Sequence, residues 1–220
     1  MIASGRCLRD LNVWQDLFDA KARELYPAVD PSHDFLHIRR VAATALKLAR
    51  EERADAMVVL PAAYFHDFVT IPKNDPRRTQ ASTLSAEAAV DYLREAGYPA
   101  RHLDAIRHAI TSHSFSAGIS TQTIEAQVVQ DADRLDSLGA IGVARCFSTG
   151  ALTGIPFHHE YDAFGEHRAF DDKSYTVDHF FVKLFKIAET LQTASARVEG
   201  ARRVAYMQDY LKQLRSEVSV

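Results

Sequence analysis

The stretch PAAYFHDFV, Pro61–Val69, sets a histidine and an aspartate side by side inside an apolar segment. ADAMVVL precedes it and TIPKND follows. Burying a titratable pair in such surroundings costs on the order of several kcal/mol unless hydrogen bonds, a countercharge or a metal ion compensates. The apolar residues around the pair follow no two-residue alternation, so the segment reads as a helix, expected over Ala54–Val69.

The rest of the chain has the same character. Apolar residues at Leu11, Trp14, Leu17, Phe18, Ala22 and Leu25 recur at helical spacing and predict a helix over Leu8–Tyr26, ended by Pro27 and Pro31. A second helix is expected over Asp34–Arg53, with Leu36, Val41, Ala45, Leu46 and Leu48 turned inward. TIPKNDPRRTQ, with two prolines, is a loop. Ser82–Ala96 is a helix stopped by Gly97, and Pro99–Ser112 is the next. Thr123–Leu138 is expected to be helical and closed by Gly139, and AIGVARCFSTGAL is a short helix of small residues. The 22 residues Gly154–Tyr175 are irregular, a length that marks a functional or mobile loop. The last helical region spans Val177 to about Val218 and is expected to break near Gly200. One all-α domain, residues 1–220 with a core of about 30–190 and the C-terminal helices packed on it, is the simplest architecture.

Composition bounds the function. Of the 220 residues, 47% are hydrophobic and 25% charged, which is ordinary for a soluble globular protein, and the formal net charge of −3 argues against general binding to nucleic acid. Arg197, Arg202 and Arg203 are interleaved with Glu199 and read as a solvated face. Cys7 and Cys146 offer no disulfide framework and suit a reducing compartment. MIASGRCLRDLNVW has no apolar run like that of a secretory signal, and AMVVLPAAYF is too short to span a bilayer. The expectation is a cytoplasmic enzyme or binding domain, without membrane or nucleic-acid partners and of undetermined oligomeric state.

Consecutive helical side chains diverge by about 100°, so His66 and Asp67 can share one ion only if it sits off the helix flank and other helices complete its shell. His37, near the start of the second helix, and Asp133, on a helix with Val128, Val129 and Leu135, are the available partners. Two imidazoles and two carboxylates suit Mn²⁺ or Mg²⁺, with Fe²⁺, Ni²⁺ or Co²⁺ as further options, better than a closed thiolate zinc site. DADRLD lacks the glycine and the distal glutamate of an EF-hand. Its DxD is shared with haloacid-dehalogenase-type phosphatases, where it follows an early strand of an α/β fold.

With its order H…HD…D, the chain resembles the HD-domain phosphohydrolase superfamily, and within it a branch of small bacterial HD hydrolases. HIRRV, FHDFV, PKNDPRR, HAITSHSFSA, VVQDADRL, GAIGVAR and DHFFVKL carry the likeness from about Asp30 to the last helix. The resemblance implies a helical bundle with a divalent metal held by His37, His66, Asp67 and Asp133. It also implies hydrolysis of a phosphoester or phosphoanhydride but not the substrate; a nucleotide is favoured because aromatic residues near the candidate site residues could stack a base.

Such chemistry needs cations for the phosphate and a base for the attacking water. Lys73, Arg77 and Arg78 in the loop after the pair, and Arg134 beside Asp133, are the candidate phosphate contacts, unless these charges only form a solvated loop face. His179 and Lys183, four apart, can face one site. Several HD enzymes carry an acidic base three to five residues after the pair; here Thr70, Ile71 and Pro72 stand there. Asp75, His113 and Asp136 remain as bases, and Asp67 completes the catalytic set. His108 and His113 could instead complete a second metal site. Phe35, Phe115 and Phe157 could stack a base or simply fill the core. His158, His159 and Glu160 are read as part of a mobile loop covering the site rather than as further ligands, and His33, His102 and His167 as surface residues. The alternative to a hydrolase is a catalytically weak HD domain that senses a nucleotide or a partner.

Overall fold

Aspartate caps start the two helices that matter most for the site. Asp34 accepts the His37 N–H at 2.8 Å and opens α2, Phe35–Glu52. Asp55 accepts the Met57 N–H at 2.9 Å and opens α3, Ala56–Phe65. These belong to a computed structural model that describes residues 5–26, 34–71, 75–114 and 117–218, with side chains from residue 11 onward. Its other helices are α1 Gly5–Leu25, α4 Ala81–Glu95, α5 Leu103–His113, α6 Ile124–Leu135, α7 Gly139–Leu152, α8 Phe185–Glu189 and α9 Ala194–Val218. Short 3₁₀ turns lie at Pro76–Gln80 and Ala100–His102. Among the described residues there is no strand, so the all-α reading holds.

The chain divides into two compact units, Met1–Asp133 and Arg134–Val220. In the first, α3 is apolar all round and buried from Met57 to Phe65. Pro61 lies inside it and has no N–H to offer Met57 O one turn back. The Tyr98 hydroxyl takes that place, donating to Met57 O at 2.6 Å. Against α3 packs the fully buried Phe18 of α1, its ring centroid 5.1 Å from Phe65 and 5.7 Å from Tyr64. Gly97 ends α4 at φ +78°, a conformation only glycine adopts without strain, and Tyr98 N–H closes the turn on Leu93 O at 2.9 Å.

The expected Ala54–Val69 helix stops early. α3 ends at Phe65, with His66 as its C-terminal cap and Asp67 beyond it. The reason lies in side chains, one of them from α1's end of the chain. The carbonyls of the last turn are taken by side chains: Ala63 O accepts from the His66 ring and Tyr64 O from the Tyr26 hydroxyl. The helix therefore has no need of further backbone donors there.

In the second unit the last helical region breaks before Gly200. A π turn, Phe180–Leu184, leads into α8, and α9 restarts after residues 190–193, where Thr193 Oγ1 accepts the Ala196 N–H. Gly200 lies inside α9, and a Cβ there would meet Leu191 Cδ1 at 2.3 Å. It is a packing glycine. The irregular segment before the π turn is fastened to itself rather than loose. Asp162 accepts the N–H groups of Glu166 and His167 at 2.9 and 2.8 Å. The buried Asp178 accepts both Arg168 Nη atoms, at 2.5 and 2.8 Å, and the Asp171 N–H at 2.6 Å. Thr176 and Val177 donate to Pro156 O and Phe157 O.

Candidate metal centre

α3 and α5 both deliver a histidine at their C-terminal ends, where the helix dipole favours positive charge. Each ring is fixed the same way. His66 Nδ1 lies 2.9 Å from Ala63 O, and His113 Nδ1 2.6 Å from Ile110 O. A carbonyl only accepts, so both Nδ1 atoms carry hydrogen and both neutral rings present a lone pair at Nε2. His66 is fully buried, and its Nε2 has no hydrogen-bond partner. Such an orphan acceptor inside a protein is what a bound cation would satisfy.

The oxygens around it come from two other places. His66 Nε2 is 3.6 Å from Asp67 Oδ2 and 3.8 Å from Asp133 Oδ1. The same Asp133 Oδ1 lies 3.6 Å from Nε2 of His37, which α2 supplies from its capped first turn. On the other flank His113 Nε2 stands 3.6 Å from Asp67 Oδ1. Two sets of donor atoms result, His37–His66–Asp133 and His66–Asp67–His113, with the atoms within each set no more than 4.8 Å apart. They share His66. Each set could hold a metal ion, and the histidine–carboxylate chemistry fits a hard or borderline divalent cation.

Electrostatics keeps the carboxylates charged. Burial pushes Asp67 and Asp133 up, but the surrounding histidines win and hold both below the usual carboxylate range. His66 is lowered as well, chiefly by its burial, which favours the neutral ring. For His113 burial also works downward, but the hydrogen bond and charge of Asp67 outweigh it and raise this histidine. Burial, and behind it the negative charge of Asp67, keeps the Tyr26 phenol protonated and so a donor.

The other residues singled out in the sequence lie elsewhere or are engaged. Lys73, Phe115 and His33 fall outside the described residues. Arg77 forks onto Asp75 through Nε at 3.1 Å and Nη2 at 2.8 Å, and Arg78 Nη1 donates to Ile71 O. In the second unit, Arg134 Nη1 donates to Thr190 O at 2.6 Å and Asp136 pairs with Arg145 at 2.8 Å. His179 Nδ1 is 2.9 Å from Asp172 Oδ2, and Lys183 is exposed on the π turn. Phe35 is buried under the Arg23 guanidinium, 4.0 Å from its ring centroid, whereas Phe157 is more than half exposed. His108 Nε2 accepts the Gln122 N–H, which sets it apart from either donor set. His102 is not a free surface residue: its largely buried ring faces Asp55 at 3.3 Å. Sequence reading missed Tyr26 and Ser85, which hold the backbone on either side of the pair. No spacing rule marks a hydroxyl that reaches a carbonyl 38 residues away.

A helical unit that gathers a histidine, a histidine–aspartate pair and a distal aspartate is an HD domain, and the chain belongs to that family: the HD-domain family model matches residues 34–138. Among its relatives is YpgQ of Bacillus subtilis, 31% identical over 190 residues, which is 84% of each chain. The crystal structure of YpgQ in complex with ADP aligns with 93% of this chain and 98% of its own, with a TM-score of 0.74 at 31% identity. A crystal structure of an HD-superfamily hydrolase from Bacillus thuringiensis aligns with 94% of this chain and 97% of its own, with a TM-score of 0.72 at 25% identity.

Proposed function

We propose that the protein is a divalent-metal-dependent phosphohydrolase acting on a nucleotide. The observation that carries this reading is the buried, unpartnered His66 Nε2 facing carboxylate oxygens of Asp67 and Asp133. In this reading His37, His66, Asp67 and Asp133 hold the ion, with Mn²⁺ or Mg²⁺ favoured by the mixed nitrogen and oxygen donors. When bound, such an ion polarises a phosphoryl oxygen and makes a water acidic enough to attack phosphorus at neutral pH.

The chain's own residues do the rest. Ala63 O fixes the His66 tautomer, so its Nε2 cannot turn away. The two carboxylates balance the cation. His113 Nε2, held toward Asp67 Oδ1, is the acceptor for the proton released in the attack, in the role an acidic residue after the pair fills in other HD enzymes. Asp136 does not serve in this scheme because Arg145 already neutralises it. A nucleotide is the favoured substrate class because YpgQ, alike over most of both chains, has been crystallised with ADP.

The test is a phosphate- and pyrophosphate-release screen over nucleoside mono-, di- and triphosphates with Mn²⁺ or Mg²⁺, together with elemental analysis. About one ion per chain is expected, and turnover that falls to background in His66→Ala and Asp133→Ala. Turnover indifferent to both substitutions, or metal content unchanged by them, would overturn the assignment. Nucleotide binding without turnover would favour the sensor alternative.

A further inference from the structure

Two buried hydroxyls bond to the backbone two residues to either side of the His66–Asp67 pair. Tyr26, just past the end of α1 and 5% exposed, donates to Tyr64 O at 3.1 Å, two residues before His66. Ser85, in α4 and 1% exposed, accepts the Val69 N–H at 3.0 Å, two residues after Asp67. Its oxygen also lies 3.4 Å from Val69 O. Between these points the pair occupies the turn where α3 has already ended. A turn outside a helix has few backbone bonds of its own, and here Phe68 N–H to Phe65 O, at 3.2 Å, is the local one. The direction of His66 Nε2 depends on where Ala63 O sits, and Ala63 O neighbours the carbonyl that Tyr26 holds.

We propose that Tyr26 and Ser85 are positioning residues that bracket the metal-binding turn, fixing His66 and Asp67 in their ligating orientation from α1 and α4. The inference rests on the metal reading above. Neither hydroxyl touches the donor atoms; each acts through the backbone. Groups that orient ligands in this way typically control metal affinity by about 10–100-fold.

Mn²⁺ titrations followed by the electron paramagnetic resonance of the free ion test it with Tyr26→Phe and Ser85→Ala, each of which deletes only a hydroxyl. Tyr98→Phe is the control, because it removes a buried hydroxyl-to-carbonyl bond at the opposite end of the same helix. The dissociation constant should rise about 10-fold in Tyr26→Phe and Ser85→Ala. Tyr98→Phe should lower the melting temperature and leave Mn²⁺ affinity unchanged. Long-range ¹H–¹⁵N spectra of the metal-free protein give a second readout: one His66 tautomer in the wild type, averaged tautomers in the two bracket variants. Wild-type Mn²⁺ affinity in both variants, with melting shifts like the control's, overturns the inference. A wild-type chain with no His66-dependent Mn²⁺ uptake would instead sink the metal reading. The tautomer spectra then decide the bracket alone, averaging sustaining it and a single retained tautomer overturning it.

Discussion

At the scale of single residues, the environment decides which chemically capable side chains are put to use. Cys146 is a nucleophile by type, yet it is buried, its thiol faces Thr176 O at 3.6 Å, and burial aided by the Asp172 charge pushes it up to about 12. At pH 8 the thiolate fraction would be about 10⁻⁴, so iodoacetamide should leave the Cys146 peptide unmodified in the native protein and alkylate it fully after denaturation. Alkylation of the native protein at the rate of a model thiol, read by peptide mass spectrometry, would contradict this. The pair at His66–Asp67 was legible because two polar residues in an apolar run demand compensation. His37 and Asp133 were legible because their order in the chain matches a known motif. The arginines expected to contact phosphate were not legible in the same way, because charge type says nothing about direction. Arg134 finds its acceptor on a backbone carbonyl 56 residues away, which no local pattern announces.

At the scale of elements, helical periodicity located the helices and left their ends uncertain. α3 ends early because side chains cap its carbonyls, a tertiary effect. Gly200 was expected to break the last helix because periodicity alone cannot separate a breaking glycine from one that admits a neighbour. The hydroxyl cap at Thr193 was the readable signal for the restart. One turn into α9, Glu199 is gripped by Arg202 and Arg203, and Arg203 also donates to Leu135 O at 2.6 Å. The hydrogen bond from Arg202, helped by Arg203, lowers this carboxyl from 4.5 to about 2. A carboxylate depressed in the folded state adds stability above its unfolded pKa, and that stability drains away as pH falls through the folded value. The contribution should therefore be complete above about pH 4.5 and lost toward pH 2. Glu199→Gln should cost on the order of 1–2 kcal/mol at pH 7 and flatten the acid limb of a denaturation-versus-pH curve in that window. An acid limb with the wild-type slope would show that the arginines are not holding the charge.

At the scale of the whole molecule, the all-α class was readable throughout, and the division into two compact units was not. Linkers betray themselves by proline, glycine or polar runs, and here the boundary falls between Asp133 and Arg134, inside α6. Among the described residues no helix is long and apolar enough to cross a membrane. The segment before the π turn has a consequence for how the second unit breathes. Arg168 bonds at once to Asp162 O and to both oxygens of Asp178, and those two aspartates hold the amides of Glu166, His167 and Asp171. Pulling that guanidinium away leaves a buried carboxylate alone, which costs about 3 kcal/mol or more. Opening should then be all-or-none, a single latch rather than independent fraying. In deuterium exchange the three amides should share one protection factor and one denaturant slope, and Asp178→Asn should accelerate all three by a common factor. Three unrelated exchange rates would mean that the latch does not act as one.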